Sequence, residues 1–304
     1  MPIVSADKLH RIATQLLLAV GASETESSTV ADHVLGANLA GHDSHGIQQI
    51  PIYIDRIKTG VNIPNAPYEI VQETATTTVV DGHWGLGYTV SEKTMRITID
   101  KAKHNSVAAS TIFNQGHVGR VADYPLMAAR AGMIGIMTAD SGRSPKQVVP
   151  FGGREPRLGT NPIAFAVPSN LDGPLFFDMA TSAAAAGKLA VANAKGQDIP
   201  EGWIIDNAGN PSTNPLDFYE GGSLLPLGGA EGHKGYGLGV MVEIFSGILT
   251  GLGFGIDPEG RHNDGCFMAA FNVDAFRPVE EFKREVTELA EYLKNTPTAS
   301  GTSE

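Results

Sequence analysis

The chain has 304 residues, of which 42% are hydrophobic and 18% charged, so it can form one large or two ordinary folded domains. Its 22 Lys and Arg against 33 Asp and Glu give a net charge of -11, which disfavours nucleic acid and anionic membranes as partners. The one cysteine, Cys266, excludes an internal disulfide and fits a reducing compartment. We therefore expect a cytoplasmic protein that acts on a small molecule.

Helical patterns occupy both ends of the chain. Ser5 and Ser23 can each cap a helix, and apolar residues three and four apart indicate an amphipathic helix after Pro278. We expect a helical domain made of residues 1–60 and completed by residues 278–304.

The middle of the chain, residues 61–277, alternates between apolar runs, glycine turns and amphipathic segments. Strands are predicted at 76–82, 106–114, 133–140, 161–168, 174–180, 202–206 and 266–273. Helices are predicted near Tyr88–His104, Arg120–Ala131, Ser182–Ala194 and Lys234–Thr250. Because helices separate only some of the strands, we expect an α/β (α+β) domain with a mixed, mainly antiparallel sheet.

Three G-x-G sequences, which begin at Gly85, Gly235 and Gly251, do not form a nucleotide-binding fingerprint. None combines a preceding strand, a third glycine opening a helix, and an acidic residue about 20 positions later, as a Rossmann domain requires. Lys234 precedes a glycine and not a Ser or Thr, so a P-loop is also excluded. The cofactor domain, if there is one, is expected to be non-Rossmann.

The sequence AGHDSHGIQQIPIYIDR places His42 and His45 three residues apart, at or just beyond the end of the second helix. With His117 as a third ligand they could hold a metal, but H-x-x-H lacks the second half of any zinc pattern. His117 lies in a Gly-flanked loop between a predicted strand and helix, where ligands often bind. Acid-base catalysis, metal binding and a structural role all remain open from these residues alone.

Several blocks together resemble one family. They are AGHDSHGIQQIPIY, NQGHVGRVADY, PFGGREPRLGTNPIAFAVP, FFDMATS with AAGKLA, IPEGWIID and LLPLGGAEGHKGYGL. In this order they are similar to the malate/L-lactate dehydrogenase family without a Rossmann domain, whose members include ureidoglycolate and sulfolactate dehydrogenases, diketogulonate reductase and cyclic-imine reductases. The similarity runs from about Leu9 to Leu293 and is greatest to the hydroxycarboxylate dehydrogenase B type.

The resemblance implies a homodimer with the active site near the interface, and an oxidoreductase that interconverts 2-oxo and 2-hydroxy carboxylates. The family's Ser-His pair falls on Ser44 and His45, which implies that His45 donates a proton to the substrate carbonyl during hydride transfer. Ser44 would position His45 or the substrate. The second active-site histidine falls on His117, which would polarise the carbonyl or contact the carboxylate.

The resemblance also implies a nicotinamide cofactor, NAD or NADP, and no metal. Its contacts fall on His45, Thr160, Asn161, Pro162, Asp178, Met179, Ala180, Thr181, Ser182, His233 and Lys234. The segment 178–182 is predicted to end a strand and start a helix, whose free N–H groups could meet the pyrophosphate. Family members also carry a C-terminal Pro-Gly-Glu loop that contacts the cofactor. No Pro-Gly-Glu sequence occurs among the 304 residues.

One departure concerns the substrate carboxylate, because Gln49 stands where family members commonly carry an arginine. A neutral amide cannot neutralise a carboxylate, so another cation must do so. We expect Arg120, three residues after His117, to take this role. His42 is expected to give a supporting hydrogen bond and not to be catalytic.

Two alternatives stay open. A cyclic-imine reductase would use the same cofactor with a C=N acceptor, such as Δ1-piperideine- or pyrroline-2-carboxylate. A metal hydrolase or binding protein would be built on His42, His45 and His117.

Overall fold

The computed structural model describes residues 4–140, 142–257, 261 and 263–299. Helices α1 to α9 are Ala6–Ala19, Glu24–Leu39, Ile50–Lys58, Gly87–Asn105, Asp123–Arg130, Ala186–Lys195, Leu216–Tyr219, His233–Glu243 and Val279–Lys294. Strands β1 to β10 are Glu69–Glu73, Thr77–Gly85, Val107–Gln115, Met133–Asp140, Ile163–Val167, Leu175–Met179, Ile204–Ile205, Pro211–Ser212, Ser223–Leu224 and Gly265–Asn272.

Seven strands form the main sheet, in the order β1-β2-β3-β10-β4-β5-β6. All neighbouring pairs in it are antiparallel except β2 and β3. That parallel pair needs a crossover connection, which the 19-residue α4 supplies. The prediction of a mixed, mainly antiparallel, non-Rossmann sheet is confirmed. Strands β7 to β9 form a separate small sheet.

The largest core lies between the main sheet and the helices α4 and α5. It contains the fully buried Ile112 of β3, Met137 of β4 and Met268 of β10, packed with Met95 and Tyr124 of the two helices. Burying a side chain of this size contributes about 1.5–3 kcal/mol. The three central strands are therefore firmly placed, and so are the loops that leave their ends.

Helices α1, α2 and α3 enclose a second core, in which Leu17, Val30 and Tyr53 meet Tyr88 of α4. Helix α9 contacts the turn that follows β10, and its Thr287 hydroxyl accepts a hydrogen bond from the Asn170 amide at 2.9 Å. Placing residues 278–304 in the helical domain stays a prediction, and residues 300–304 lie outside the described part. In that part, no helix is long and apolar enough to cross a bilayer.

The predicted elements differ from the structure at several places, among them one missed strand and two helix boundaries. The prediction missed β1, whose residues are all exposed at the sheet edge, so its sequence lacks the alternation of a half-buried strand. Helix α6 begins at Ala186 instead of Ser182, because the Ser182 hydroxyl donates to the Ala184 carbonyl in a turn. Helix α8 ends at Glu243 and continues as a π-helical turn, Ile244–Ile248, instead of an α-helix to residue 250.

Candidate active site

A short 3₁₀ turn, Asp43–His45, follows α2 and carries the predicted serine-histidine pair. Asn38 holds this turn, since its Nδ2 donates to the Asp43 carboxylate at 2.6 Å and its Oδ1 accepts from the Ile47 amide at 2.8 Å. A Cβ on Gly46 would lie 2.3 Å from the Asn38 Oδ1. A side chain at this position would therefore displace the Asn38 amide.

His45 is held between a serine and two further histidines. Its Nδ1 lies 3.0 Å from the Ser44 Oγ, its ring stacks on His117 with centroids 5.5 Å apart, and His42 meets it edge-on at 4.6 Å. Burial, together with the neighbouring His42, lowers the pKa of His45 to about 4, despite the nearby carboxylate of Asp123. The imidazole is therefore neutral at neutral pH.

His117 is fixed by a pair of buried tyrosines. Its Nδ1 forms a 2.8 Å hydrogen bond with the Tyr53 hydroxyl, which forms a 2.9 Å hydrogen bond with that of Tyr88. Burial raises the pKa of both tyrosines, so both hydroxyls keep their protons. A Cβ on Gly87 would lie 2.1 Å from the Gly116 carbonyl, so the start of α4 packs tightly on the His117 loop.

The serine and the two stacked histidines open onto a cavity of about 570 Å³. Its wall also includes one face of α3, the turn Thr160–Pro162, the first residues of α6, and the acids Asp140 and Asp264. A larger surface cavity of about 880 Å³ lies between α4, α5, the start of β4 and the end of β10, and no histidine is among the described residues that line it. Of these two cavities, the smaller one is lined by Ser44, His45 and His117.

The two acids in the wall are poorly solvated. Burial raises the pKa of Asp264 to about 7, against the Val118 amide that donates to it at 3.0 Å and the charge of Arg56. Burial also raises the pKa of Asp140 to about 7, against the buried Lys146 ammonium at 3.4 Å. Both carboxyls therefore titrate near neutral pH.

Asn161 is a buried residue of the cavity wall. Its φ of +41° is unusual for a residue other than glycine, and its Nδ2 donates to the Gly239 carbonyl and the Glu243 carboxylate, both at 2.9 Å. Its Oδ1 is buried without a hydrogen-bond partner in the described part of the chain. An oxygen in this state is suited to accept a hydrogen bond from a bound amide.

The chain is similar in sequence and in fold to known dehydrogenases. The family model of malate/L-lactate dehydrogenase matches residues 4–304. The malate dehydrogenase of Pyrococcus horikoshii is 39% identical over 302 residues, which covers 96% of this chain and 82% of that protein. Hydroxycarboxylate dehydrogenase B of Escherichia coli K12 is 40% identical over 248 residues, covering 81% and 68%. The crystal structure of Entamoeba histolytica malate dehydrogenase superposes with a TM-score of 0.94 at 35% identity, covering 99% of this chain and 87% of that one.

The chain belongs to the malate/L-lactate dehydrogenase family. It is accordingly an oxidoreductase of hydroxy acids, and the resemblance drawn from the sequence blocks is confirmed.

Arg120 was expected to line the substrate cavity beside His117. It is absent from the cavity wall, and both its Nε, at 2.8 Å, and its Nη2 donate to the Asp123 carboxylate. This pairing uses two of the five N–H donors of the guanidinium on a largely buried carboxylate. The structure therefore gives no support to the expectation that Arg120 binds the substrate carboxylate, which stays a prediction.

Asp123 belongs to a buried charge network that the sequence analysis missed. His33 of α2 lies 3.0 Å from Asp123 and 3.2 Å from Glu92. Burial lowers the pKa of His33, but its hydrogen bonds to the two carboxylates outweigh this and raise the pKa to about 9. His33 is therefore a buried imidazolium behind the catalytic wall. A histidine within a helical pattern gave no signal of these partners.

The segment 178–182 supports the cavity wall from behind. The Asp178 carboxylate accepts from the Ala122 amide at 2.9 Å, and the Thr181 amide and hydroxyl both donate to the Thr160 carbonyl. Because Ser182 does not begin a helix, the free N–H groups expected after it occur instead at the start of α6, whose first residues line the cavity.

His233 and Lys234 begin α8 and do not line the cavity. Their side chains are 54% and 72% exposed, and the Lys234 ammonium lies 3.2 Å from the Glu231 carboxylate. No three or more His, Cys, Asp or Glu side chains in the described part of the chain are grouped so as to hold a metal ion.

Proposed function

We propose that this enzyme interconverts 2-oxo and 2-hydroxy carboxylates with NAD or NADP, and that His45 exchanges the proton. The observation that carries the proposal is the Ser44–His45 pair, with His117 stacked on it, at the wall of the cavity. In the reaction a bound nicotinamide would take up or supply the hydride.

The residues present divide the remaining chemistry among them. The hydrogen bond to Ser44 occupies Nδ1 of His45, which leaves Nε2 to accept the hydroxyl proton of a 2-hydroxy acid or return it to a 2-oxo acid. The neutral imidazole is ready to act as the base. His117, fixed by Tyr53, would donate a hydrogen bond to the substrate oxygen.

The donors and acceptors in the wall fit a nicotinamide. The unpartnered Oδ1 of Asn161 would accept from its carboxamide, and Thr160 and Pro162 would form the wall beside it. Asp178, Met179, Ala180, Thr181 and Ser182 would support that wall, and His233 and Lys234 would meet the phosphate side. We propose a nicotinamide cofactor without assigning it as NAD or NADP.

We extend the proposal to a cytoplasmic homodimer. The lone buried Cys266 suits a reducing compartment, and edge strand β6 exposes Phe176 and Phe177.

The test is the oxidation of NADH and NADPH with a panel of acceptors: pyruvate, oxaloacetate, hydroxyphenylpyruvate and a cyclic imino acid. We expect turnover of at least one 2-oxo acid, and higher catalytic efficiency for it than for the imine. A higher efficiency for the imine would favour the cyclic-imine reductase. Stoichiometric bound zinc with no nicotinamide binding would contradict both and favour the metal hypothesis.

A further inference from the structure

The cavity of the proposed enzyme needs a cation. A 2-oxo acid brings a carboxylate, and an uncompensated anion binds poorly in a partly dry site. Gln49 lines the cavity but is neutral, and its Nε2 already donates to the Ser44 carbonyl at 2.6 Å. Arg120 is paired with Asp123 outside the wall.

Helix α3 supplies a candidate cation, on the same side of the cavity as His45 and His117. Gln49, Ile52, Tyr53 and Arg56 follow the spacing i, i+3, i+4, i+7, which places them on one helix face. Gln49, Ile52 and Arg56 line the cavity, and Tyr53 binds His117. This face of α3 therefore points at the site over two helical turns.

Arg56 has a donor without an acceptor. Its Nη1 is buried and has no hydrogen-bond partner in the described part of the chain. A buried donor in this state destabilises the protein unless a ligand satisfies it, and a charged group does so more strongly. Among the described residues that line the cavity, Arg56 is the one Arg or Lys.

We propose that Arg56 binds the carboxylate of the substrate. This rests on the proposed function, since it takes the ligand to be a 2-oxo or 2-hydroxy acid. The planar guanidinium can hold a carboxylate through two hydrogen bonds, which a lysine cannot reproduce. Binding from α3 would anchor one end of the substrate while His45 and His117 act on the oxygen at C2.

Kinetics of Arg56→Gln and Arg56→Lys test the proposal, with pyruvate and its uncharged amide, pyruvamide, as substrates. Losing a hydrogen-bonded charge partner worth about 1.5–3 kcal/mol corresponds to about 10- to 100-fold in kcat/KM for pyruvate. We expect this loss in Arg56→Gln and a smaller one in Arg56→Lys. Neither should change kcat/KM for pyruvamide, so the preference for acid over amide should disappear in Arg56→Gln and shrink in Arg56→Lys.

The control is Arg284→Gln, which removes the same charge from the exposed face of α9 and should leave all constants unchanged. Equal losses for acid and amide in the Arg56 variants would show a structural role and overturn the proposal. So would unchanged kcat/KM for pyruvate in Arg56→Gln.

A second measurement separates the proposal from the proposed function. Calorimetric titration with oxamate, an unreactive 2-oxo acid analogue, in the presence of NADH reports carboxylate binding without turnover. We expect the Kd to rise by about 10- to 100-fold in Arg56→Gln. Equal oxamate affinity in the wild type and the variant, or no binding by either, would overturn the role of Arg56. Oxamate binding without turnover of any 2-oxo acid would instead contradict the proposed function alone.

Discussion

The ionisation of His45 makes the two reaction directions respond differently to pH. Its pKa is lowered to about 4 in the free protein, so the protonated fraction falls about tenfold per pH unit above that value. We expect kcat/KM for 2-oxo acid reduction to fall about tenfold per unit from pH 6 to 9. For 2-hydroxy acid oxidation we expect no inflection from His45 near the ordinary histidine pKa of about 6.5. The wall carboxyls of Asp140 and Asp264 have pKa values of about 7, so an inflection there that persists in both Asp140→Asn and Asp264→Asn would contradict the assignment.

The buried charge of His33 should make the stability of the protein depend on pH. Its pKa is raised to about 9 in the folded protein, above the ordinary value of 6.5. The stabilisation is therefore complete below pH 6.5 and disappears as the pH rises through about 9, up to ~3 kcal/mol in all. Urea unfolding of the wild type and His33→Gln between pH 6 and 9 measures it. We expect the two free energies of unfolding to converge at high pH, and a constant difference would show that His33 is not charged.

Some residues of the site could be predicted from the sequence and others could not. The Ser44–His45 pair and His117 came from matched blocks, and the structure brings all three to one cavity. The ion pair between Arg120 and Asp123 was not anticipated, because the prediction did not weigh the acid three residues later. Arg56 was missed because no helix had been assigned to 50–58, so its shared face with Gln49 was not visible.

At the scale of elements, the turn after α2 depends on one close contact between Gly46 and the Asn38 amide. Gly46→Ala should displace that amide, break its two hydrogen bonds and shift His45. We expect a loss of ~1–3 kcal/mol in the free energy of unfolding and a fall in turnover of more than tenfold. Thermal unfolding and steady-state kinetics measure the two effects.

Gly36→Ala is the matched control, because Gly36 lies in the interior of α2 and an added Cβ would meet nothing within 4 Å. It should stabilise the protein by ~0.5–1 kcal/mol and leave turnover unchanged. Wild-type turnover in Gly46→Ala would mean that the turn does not position His45.

Elements inside the sheet were predicted better than those at its edge. Apolar runs such as 133–140 are buried on both faces, so their sequence alone marks them as strands. Strand β1 pairs only with β2 and buries nothing, so its pairing is decided by the neighbouring strand and not by its own residues.

At the scale of the whole molecule, exposed apolar side chains predict self-association. Phe176 and Phe177 of edge strand β6 are 47% and 49% exposed, and Leu293 of α9 is 59% exposed. Exposed apolar side chains at a sheet edge are suited to a protein–protein interface. Light scattering should give about twice the 32.0 kDa mass of one chain. A mass of 32.0 kDa at all concentrations would contradict the homodimer.

The central claim is that His45 exchanges the proton in this cavity, and the rate of 2-oxo acid-dependent NADH or NADPH oxidation by His45→Asn tests it most directly. Positioned acid-base catalysis contributes on the order of 10²- to 10⁴-fold, so we expect kcat at saturating substrate to fall by at least 10²-fold. The Kd of the cofactor, titrated in parallel, should stay within a few-fold of the wild type. A kcat near that of the wild type would contradict the account and leave His45 as a structural residue of the turn.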